Sequence, residues 1–338
     1  MPYQVMILPG GQELPVAENE SVLDAALRER GSVLPYGCRN GACGSCTATL
    51  QSGQVRYPNG RPSGLSEREQ AEGKVLLCQA QPCSDLVIIA REINTSGELA
   101  IKTLPCRVER RELLAPDVIR LFLKLPSTER LQFLAGHYVD ILLADGRRRS
   151  FSLANPPHAD ELLELHIRHV PDGFFTDFVF SRMKDKALLR FQGPLGTFFL
   201  REDSPRPIIL IGGGTGFAPL KGMLEHAFHI GLDRPLHLYW GARAKVDLYL
   251  DELPRRWVAE HMNFRYTPVL SAPCREDEWS GQTGWVHEAV VADYPDLSGY
   301  AVYMSGPPPM IEAARPAFVA CGLPVEQLFY DSFEFAPR

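Results

Sequence analysis

Apolar and polar residues alternate over short runs near the start of the chain. YQVMIL at residues 3–8 and SCTATL at 45–50 read as strands, whereas SVLDAALRE at 21–29 has helical spacing, with Ser21 placed as N-cap. A small α+β domain is expected there. Residues 94–102, NTSGELAIK, offer few core candidates and read as a linker. From Pro105 to about Leu200 the apolar runs VIRLFLKL, YVDILL, ELHIRHV and LLRFQG are broken by Gly, Pro and Asp, the pattern of an antiparallel barrel. Beyond Arg201 the texture changes: PIILIGGGTGFAPLKGMLEHAF reads as strand, glycine turn and helix, and the strands LHLYWG and YAVYMSG follow. Alternating β and α elements imply a parallel sheet covered by helices. The expected organisation is a multidomain α+β and α/β chain: a first domain at 1–93, a linker at 94–103, a barrel at 104–202 and an α/β domain at 203–338.

A length of 338 residues allows two or three separate cores. With 45% hydrophobic and 22% charged residues the composition is globular, and a net charge of −6 gives no basic footprint, which argues against nucleic acid as partner. The N-terminal MPYQVMILPGGQELPV lacks a basic n-region and a continuous apolar stretch, and no segment reaches the length of a membrane span. A cytoplasmic chain acting on a small molecule or another protein is expected.

The eight cysteines are unevenly spread. Cys38, Cys43 and Cys46 stand as C-x4-C-x2-C, and Cys78 follows after thirty-one intervening residues, the plant-type [2Fe-2S] spacing. Thiolates from one tight loop must reach two irons, so Gly37, Gly41 and Gly44 are expected to supply turns that need positive φ. Zinc ribbons present two C-x2-C pairs and only one short pair exists here, so zinc is the lesser reading. Cys83, Cys106, Cys274 and Cys321 are isolated and read as small buried hydrophobes. PYGCRNGACGSC as a whole resembles the cluster loop of plant-type ferredoxins, which implies a β-grasp domain over roughly the first ninety residues and Cys38, Cys43, Cys46 and Cys78 as iron ligands.

RSFSLAN, Arg149 to Asn155, ends an expected strand and resembles the R-x-Y-S flavin motif of the ferredoxin-NADP reductase family. Standing alone it could be an ordinary strand with a solvated arginine. The resemblance implies that Arg149 meets the flavin phosphate, Phe151 packs by the isoalloxazine, and Ser152 hydrogen-bonds near the reactive ring nitrogen; Phe151 replaces the usual tyrosine and loses its hydroxyl. It also implies that the strand carrying His166, Ile167 and Arg168 lines the flavin. Gly173 to Thr176, with Phe175 between them, opens a helix whose N-terminus suits a diphosphate, which favours FAD over FMN. His137, His158 and His169 lack metal-like spacing and read as structural.

Gly212, Gly213, Gly214, Thr215 and Gly216 follow the strand PIILI as a turn, with Pro219 placed to start the next helix. This is not G-x-G-x-x-G, and no acid ends the second strand, so a Rossmann dehydrogenase is disfavoured. Paired with the later SGPPPM (Ser305, Gly306, Pro307 and Met310 among its residues), GGGTGFAP resembles the nucleotide motifs of the reductase family. Ser305 stands where that family usually has cysteine beside the nicotinamide. The C-terminal FYDSF resembles the family's terminal segment and makes Phe333 the candidate to pack over the flavin, with a core phenylalanine as the alternative. In the loop after LHLYWG, Arg243 and Lys245 could hold a 2′-phosphate while Asp247 would repel one, and NADH is the expected donor, with NADPH the alternative.

The module order resembles that of oxygenase reductases and, in LPCRVERRELLAPDVIRLFLKLP and GPLGTFFLREDS, the reductases of deoxysugar synthesis. The resemblance implies hydride transfer from nicotinamide to flavin, with Ser152, Thr215, Ser305 and Phe333 at the reacting centre, and single-electron release through the cluster. A plant-type cluster near roughly −400 mV delivers one electron to a Rieske partner downhill by at least about 6 kcal/mol. The expected acceptor is an oxygenase component, with a sugar dehydratase as the alternative. A redox-sensing module without turnover is the alternative from another class.

Overall fold

The computed structural model describes residues 2–29, 34–91 and 99–334. The chain divides into two units, one up to Ala100 and one spanning Ile101–Phe333. In the first, β1 (Tyr3–Leu8) and β2 (Gln12–Val16) form a hairpin, followed by α1 (Val22–Arg28), β3 (Thr47–Ser52), β4 (Val55–Arg56), α2 (Glu67–Ala71), β5 (Lys74–Leu76), β6 (Gln81–Pro82) and β7 (Leu86–Ile89). A five-stranded mixed sheet has the order β2-β1-β7-β3-β5, with β1 and β7 parallel. Alternation sends Val5 and Ile7 inward, where α1 buries Val22, Leu23, Ala25 and Ala26. Ser21 caps α1 as expected, its hydroxyl accepting from the Asp24 amide at 3.0 Å. The strand expected at 45 begins at Thr47 instead, because Cys46 is still part of the cysteine loop.

The second unit opens with a barrel: β8 (Lys102–Ala115), β9 (Val118–Lys124), β10 (Tyr138–Leu142), β11 (Arg148–Ser152), β12 (Leu163–Arg168), α3 (Phe174–Ser181) and β13 (Leu188–Leu195). Its antiparallel order is β11-β10-β13-β8-β9-β12, and Leu153 bridges to Leu165 so that the two end strands meet. Of the expected linker, residues 94–98 lie outside the described residues. Lys102 and Thr103 are strand, not linker: they lie opposite Gly193 and Gln192, and the ladder recruits them despite their polarity.

The remainder of this unit comprises β14 (Ile208–Gly213), α4 (Phe217–His229), β15 (Leu236–Ala242), α5 (Glu252–Glu260), β16 (Phe264–Leu270), β17 (Gln282–Thr283), α6 (Val286–Asp293), β18 (Ala301–Gly306), α7 (Pro308–Ala320) and β19 (Leu328–Ser332). All six strands are parallel, ordered β17-β16-β15-β14-β18-β19. Being covered on both faces, β14 is apolar throughout: Ile208 and Leu210 pack to one side, Ile209 and Ile211 to the other. The first of these layers also takes in Val118, Ala135, Phe198 and Leu200 of the barrel, so barrel and sheet share one core. The chain leaves β14 on one side and returns on the other through β18, which opens a crevice at the carboxyl ends of these two strands.

Candidate functional site

The cysteine loop of the first unit brings its thiols together in two pairs. The Cys38 amide donates to Cys43 Sγ and the Cys43 amide to Cys38 Sγ, both at 3.4 Å, while Cys46 and Cys78 each perturb the titration of the other. The hydrogen bond from Cys43, followed by amide donors on Cys43, Asn40 and Ala42, pulls the Cys38 thiol down to about 7 against the effect of burial. Two thiol pairs match what two irons require.

Gly41 and Gly44 take the expected left-handed conformation, φ +83° and +74°. Gly37 does not: the third left-handed residue is Arg39 at φ +57°. At Gly41 a Cβ would come within 2.9 Å of both Pro62 and Gln79. Of the isolated cysteines only Cys106 is buried; Cys321 is half-buried, and Cys83 and Cys274 are exposed, because each lies outside the core strands.

In the second unit the two nucleotide motifs interlock through glycines. A Cβ on Gly216 would overlap the Ser305 carbonyl, one on Gly213 would lie 2.7 Å from Met310 Sδ and 2.8 Å from Pro307, and one on Gly306 (φ +147°) would lie 2.9 Å from the Gly213 carbonyl. Gly212 and Gly213 are the last residues of β14 rather than part of the turn, and Pro219 is the third residue of a helix begun by Phe217, where its missing N–H still costs nothing. Gly214 (φ +54°) faces the Arg168 guanidinium. Thr215 is half-buried beside it. Ser305 is wholly buried and its Oγ has no hydrogen-bond partner among the described residues.

The flavin motif lies on β11 with Ser152 buried, and Ser152 Oγ donates to Asp331 Oδ2 at 3.3 Å. The Phe333 amide donates to the Gly306 carbonyl at 2.9 Å, so the C-terminal segment touches both motifs. Phe151 packs against the buried Phe175 with ring centres 5.5 Å apart. Arg149 Nη1 meets the Arg148 carbonyl at 2.8 Å and the side chain is half-buried. Gly173 is the N-cap of α3 and supplies no side-chain cap, while Thr176 Oγ1 turns back to the Val170 backbone. Between β11 and β12 pairing is recorded only around Leu153 and Leu165; Arg149–Ser152 and His166–Arg168 flank the unpaired stretch.

The His166 side chain does not line that gap. Both ring nitrogens bond protein groups, Nδ1 with the Tyr249 hydroxyl at 2.9 Å and Nε2 with Glu164 Oε1 at 2.8 Å, and Ile167 fills the barrel core. Alternation along β12 points Glu164, His166 and Arg168 to one face, so what His166 and Ile167 present to the gap is backbone. Asp247 is likewise engaged within the protein: Oδ1 lies 3.6 Å from Arg168 Nη2 and Oδ2 accepts from the Ala244 amide at 3.1 Å. Lys245 Nζ reaches the Asp277 carbonyl at 3.3 Å, which leaves Arg243 exposed.

Matches to family models follow the same order: a 2Fe-2S iron-sulfur cluster binding domain over residues 5–83, an oxidoreductase FAD-binding domain over 105–200 and an oxidoreductase NAD-binding domain over 210–316. The CDP-6-deoxy-L-threo-D-glycero-4-hexulose-3-dehydrase reductase of Yersinia pestis is 39% identical over 98% of this chain and 99% of its own. The chain belongs to the three-module iron-sulfur flavoprotein reductases. Reductase component 2 of the terephthalate 1,2-dioxygenase of a Comamonas species is 35% identical over 100% of this chain and 99% of its own. The Amycolatopsis cytochrome P450 reductase GcoB matches in structure with a TM-score of 0.81 at 33% identity over 98% of both chains. This reductase is therefore an NAD(P)H-dependent electron-transfer oxidoreductase that uses a [2Fe-2S] cluster, FAD and NAD(H). Among its described residues no helix is long and apolar enough to cross a membrane.

The groups fit these residues: paired thiols for a two-iron cluster, an unpaired stretch between β11 and β12 for a flavin, and a glycine cradle with an orphan hydroxyl for a nicotinamide. Sequence reasoning passed over Asp331, though it lies inside the FYDSF segment, and it passed over Glu164, Lys221 and Tyr249. Charged residues inside the apolar runs ELHIRHV and FAPLKGMLEH were the available signal for Glu164 and Lys221.

Proposed function

We propose that this reductase passes electrons from NADH, through FAD and then its cluster, to an oxygenase component. When bound, the three groups supply hydride transfer and its conversion to single-electron transfer. Cys38 and Cys43 would hold one iron, Cys46 and Cys78 the other. Arg149 would meet the flavin diphosphate together with the uncapped first turn of α3 at Gly173, and Phe151 would carry the isoalloxazine face. Gly214–Gly216, Thr215 and Ser305 would position the nicotinamide ring, and Phe333 would cover the flavin until the nucleotide arrives. Ser152, hydrogen-bonded to Asp331, would hold a polar contact at the reacting edge of the flavin and exclude water from it.

The observation that carries this reading is the Ser152–Asp331 hydrogen bond of 3.3 Å, which joins residues 179 apart in sequence. With the Phe333–Gly306 contact, it gathers the flavin motif, the C-terminal segment and the nucleotide loop at one crevice. NADH is favoured over NADPH because Asp247 places a carboxylate in the reader loop and Lys245 is diverted to the Asp277 carbonyl, which lowers the positive charge available to a 2′-phosphate. A specific second acceptor is supported by the 39% identity to a hexulose-dehydrase reductase: a sugar dehydratase in deoxysugar synthesis.

Anaerobic titration with NADH, followed by absorption and EPR, tests the electron path. Flavin bleaching accompanied by a rhombic [2Fe-2S] signal is expected; bleaching without that signal would overturn the route to the cluster. A parallel NADPH titration is expected to be slower by about tenfold, the discrimination of roughly 1.4 kcal/mol that one charge contact gives. Equal rates would remove the donor assignment.

A further inference from the structure

Strand β12 has two faces of opposite character. Leu163, Leu165 and Ile167 fill the barrel core, while Glu164, His166 and Arg168 point outward, where barrel residues usually meet solvent. Here Glu164 and His166 are buried, at 6% and 5% exposure, because that face abuts the nucleotide-binding half. Each residue has a partner there. Glu164 Oε2 accepts from Lys221 Nζ of α4 at 3.0 Å, His166 Nδ1 meets the Tyr249 hydroxyl at 2.9 Å, and Arg168 pairs with Asp247 at 3.6 Å.

Burial disfavours charge on His166, and a neutral imidazole has one donor and one acceptor nitrogen. The Glu164 carboxylate can only accept, so Nε2–H donates to it and Nδ1 accepts from the Tyr249 hydroxyl. The Tyr249 ring meets Trp240 edge to face with centres 5.1 Å apart, and Trp240 Nε1 donates to the Gly214 carbonyl at 2.9 Å. A continuous chain of contacts thus runs from β12 through His166, Tyr249 and Trp240 to the first residue of the nucleotide turn.

We propose that His166 and Tyr249 are positioning residues that hold the flavin-lining strand in register with the nucleotide turn. The inference rests on the placement of the flavin along β12 and of the nicotinamide at Gly214–Gly216 given above. A hydride, two electrons with one proton, passes from NADH to FAD only when the reacting atoms are about 3–3.5 Å apart, so a slip of a fraction of an ångström between the two elements costs rate rather than affinity. Neither residue touches the reacting atoms; both act through the backbone they tie together.

The test compares Tyr249→Phe with the unaltered holoenzyme. In single-turnover mixing with NADH and with 4-deuterated NADH, the limiting rate of flavin bleaching is expected to fall about tenfold, with a changed isotope effect and an unchanged dissociation constant for NADH. In the cofactor-free chain, amide hydrogen exchange is expected to rise together at residues 163–168 and 212–217. Loss of thermal stability alone, with limiting rate, isotope effect and coupled exchange all unchanged, would overturn the proposal. Should Tyr249→Phe fail to fold, His166→Gln carries the same readouts. If the unaltered holoenzyme is not bleached by NADH, it is the functional reading that fails; if it is bleached and the variants match it, only the positioning role fails.

Discussion

The cluster loop and the dinucleotide crevice are built in opposite ways. Three of the four paired thiols come from nine consecutive residues, Cys38 to Cys46, and the loop is shaped by its own backbone through left-handed Arg39, Gly41 and Gly44. The crevice draws Ser152, Arg168, Gly214, Ser305 and Asp331 from five elements, and its shape depends on how the barrel and the parallel sheet share a core. A local site is set by chain geometry; a distributed one is set by packing. The two regions also differ in titration chemistry. All nine histidines and all four tryptophans lie after Ala100, so the first unit has neither.

The largest separation of the two regions is expected from Cys78→Ala. Iron and acid-labile sulfide should fall to background and cytochrome c reduction should cease, while NADH still bleaches the flavin; loss of bleaching as well would show that the two sites are not built independently. Acid comes next. His137 is buried and neutral, and burial, with Arg201 nearby, holds it down at about 3. The unfolded chain takes up that proton near 6.5, so the associated stability is complete above about pH 6.5 and is lost as pH falls toward 3, on the order of 5 kcal/mol at most. Tryptophan fluorescence reads the second unit alone and should show this slope, and His137→Phe should flatten it. An unchanged slope would assign the acid sensitivity elsewhere.

Gly216→Ala probes the interlock of the two nucleotide motifs. Its methyl would overlap the Ser305 carbonyl, so a loss of about 3 kcal/mol and a collapse of NADH turnover are expected, with the dithionite-reduced cluster signal retained. Thermal unfolding by tryptophan fluorescence and NADH turnover measure both. The smallest effect belongs to the first unit. Ser66 caps α2 in a reciprocal box with Glu69, and Ser66→Ala should cost about 1 kcal/mol in thermal unfolding followed by the cluster's visible absorption, without altering tryptophan fluorescence.

Legibility in the sequence follows the same division. The loop from Cys38 to Cys46, the cap at Ser21 and the glycine turn after β14 can be read because each depends on neighbours a few residues away. The misreadings have the opposite cause. Gly37 resembles its neighbours yet keeps an ordinary φ, and residue type alone places Cys83 and Cys274 in the core although both are exposed. The local pattern does not encode the protein partners of His166 and Asp247, and only the approach of β12 to the segment after β15 brings Tyr249 and Arg168 to them.

The amino-acid sequence by itself determined the order of modules, the clustered spacing of the cysteines and the left-handed turns at Gly41 and Gly44, because spacing and backbone freedom are local properties. The tertiary structure decided which side chains at the barrel–sheet seam face one another, and that Asp331 would lie beside Ser152. Those pairings join residues tens to hundreds of positions apart, and no local period encodes which distant partner a buried polar group will find.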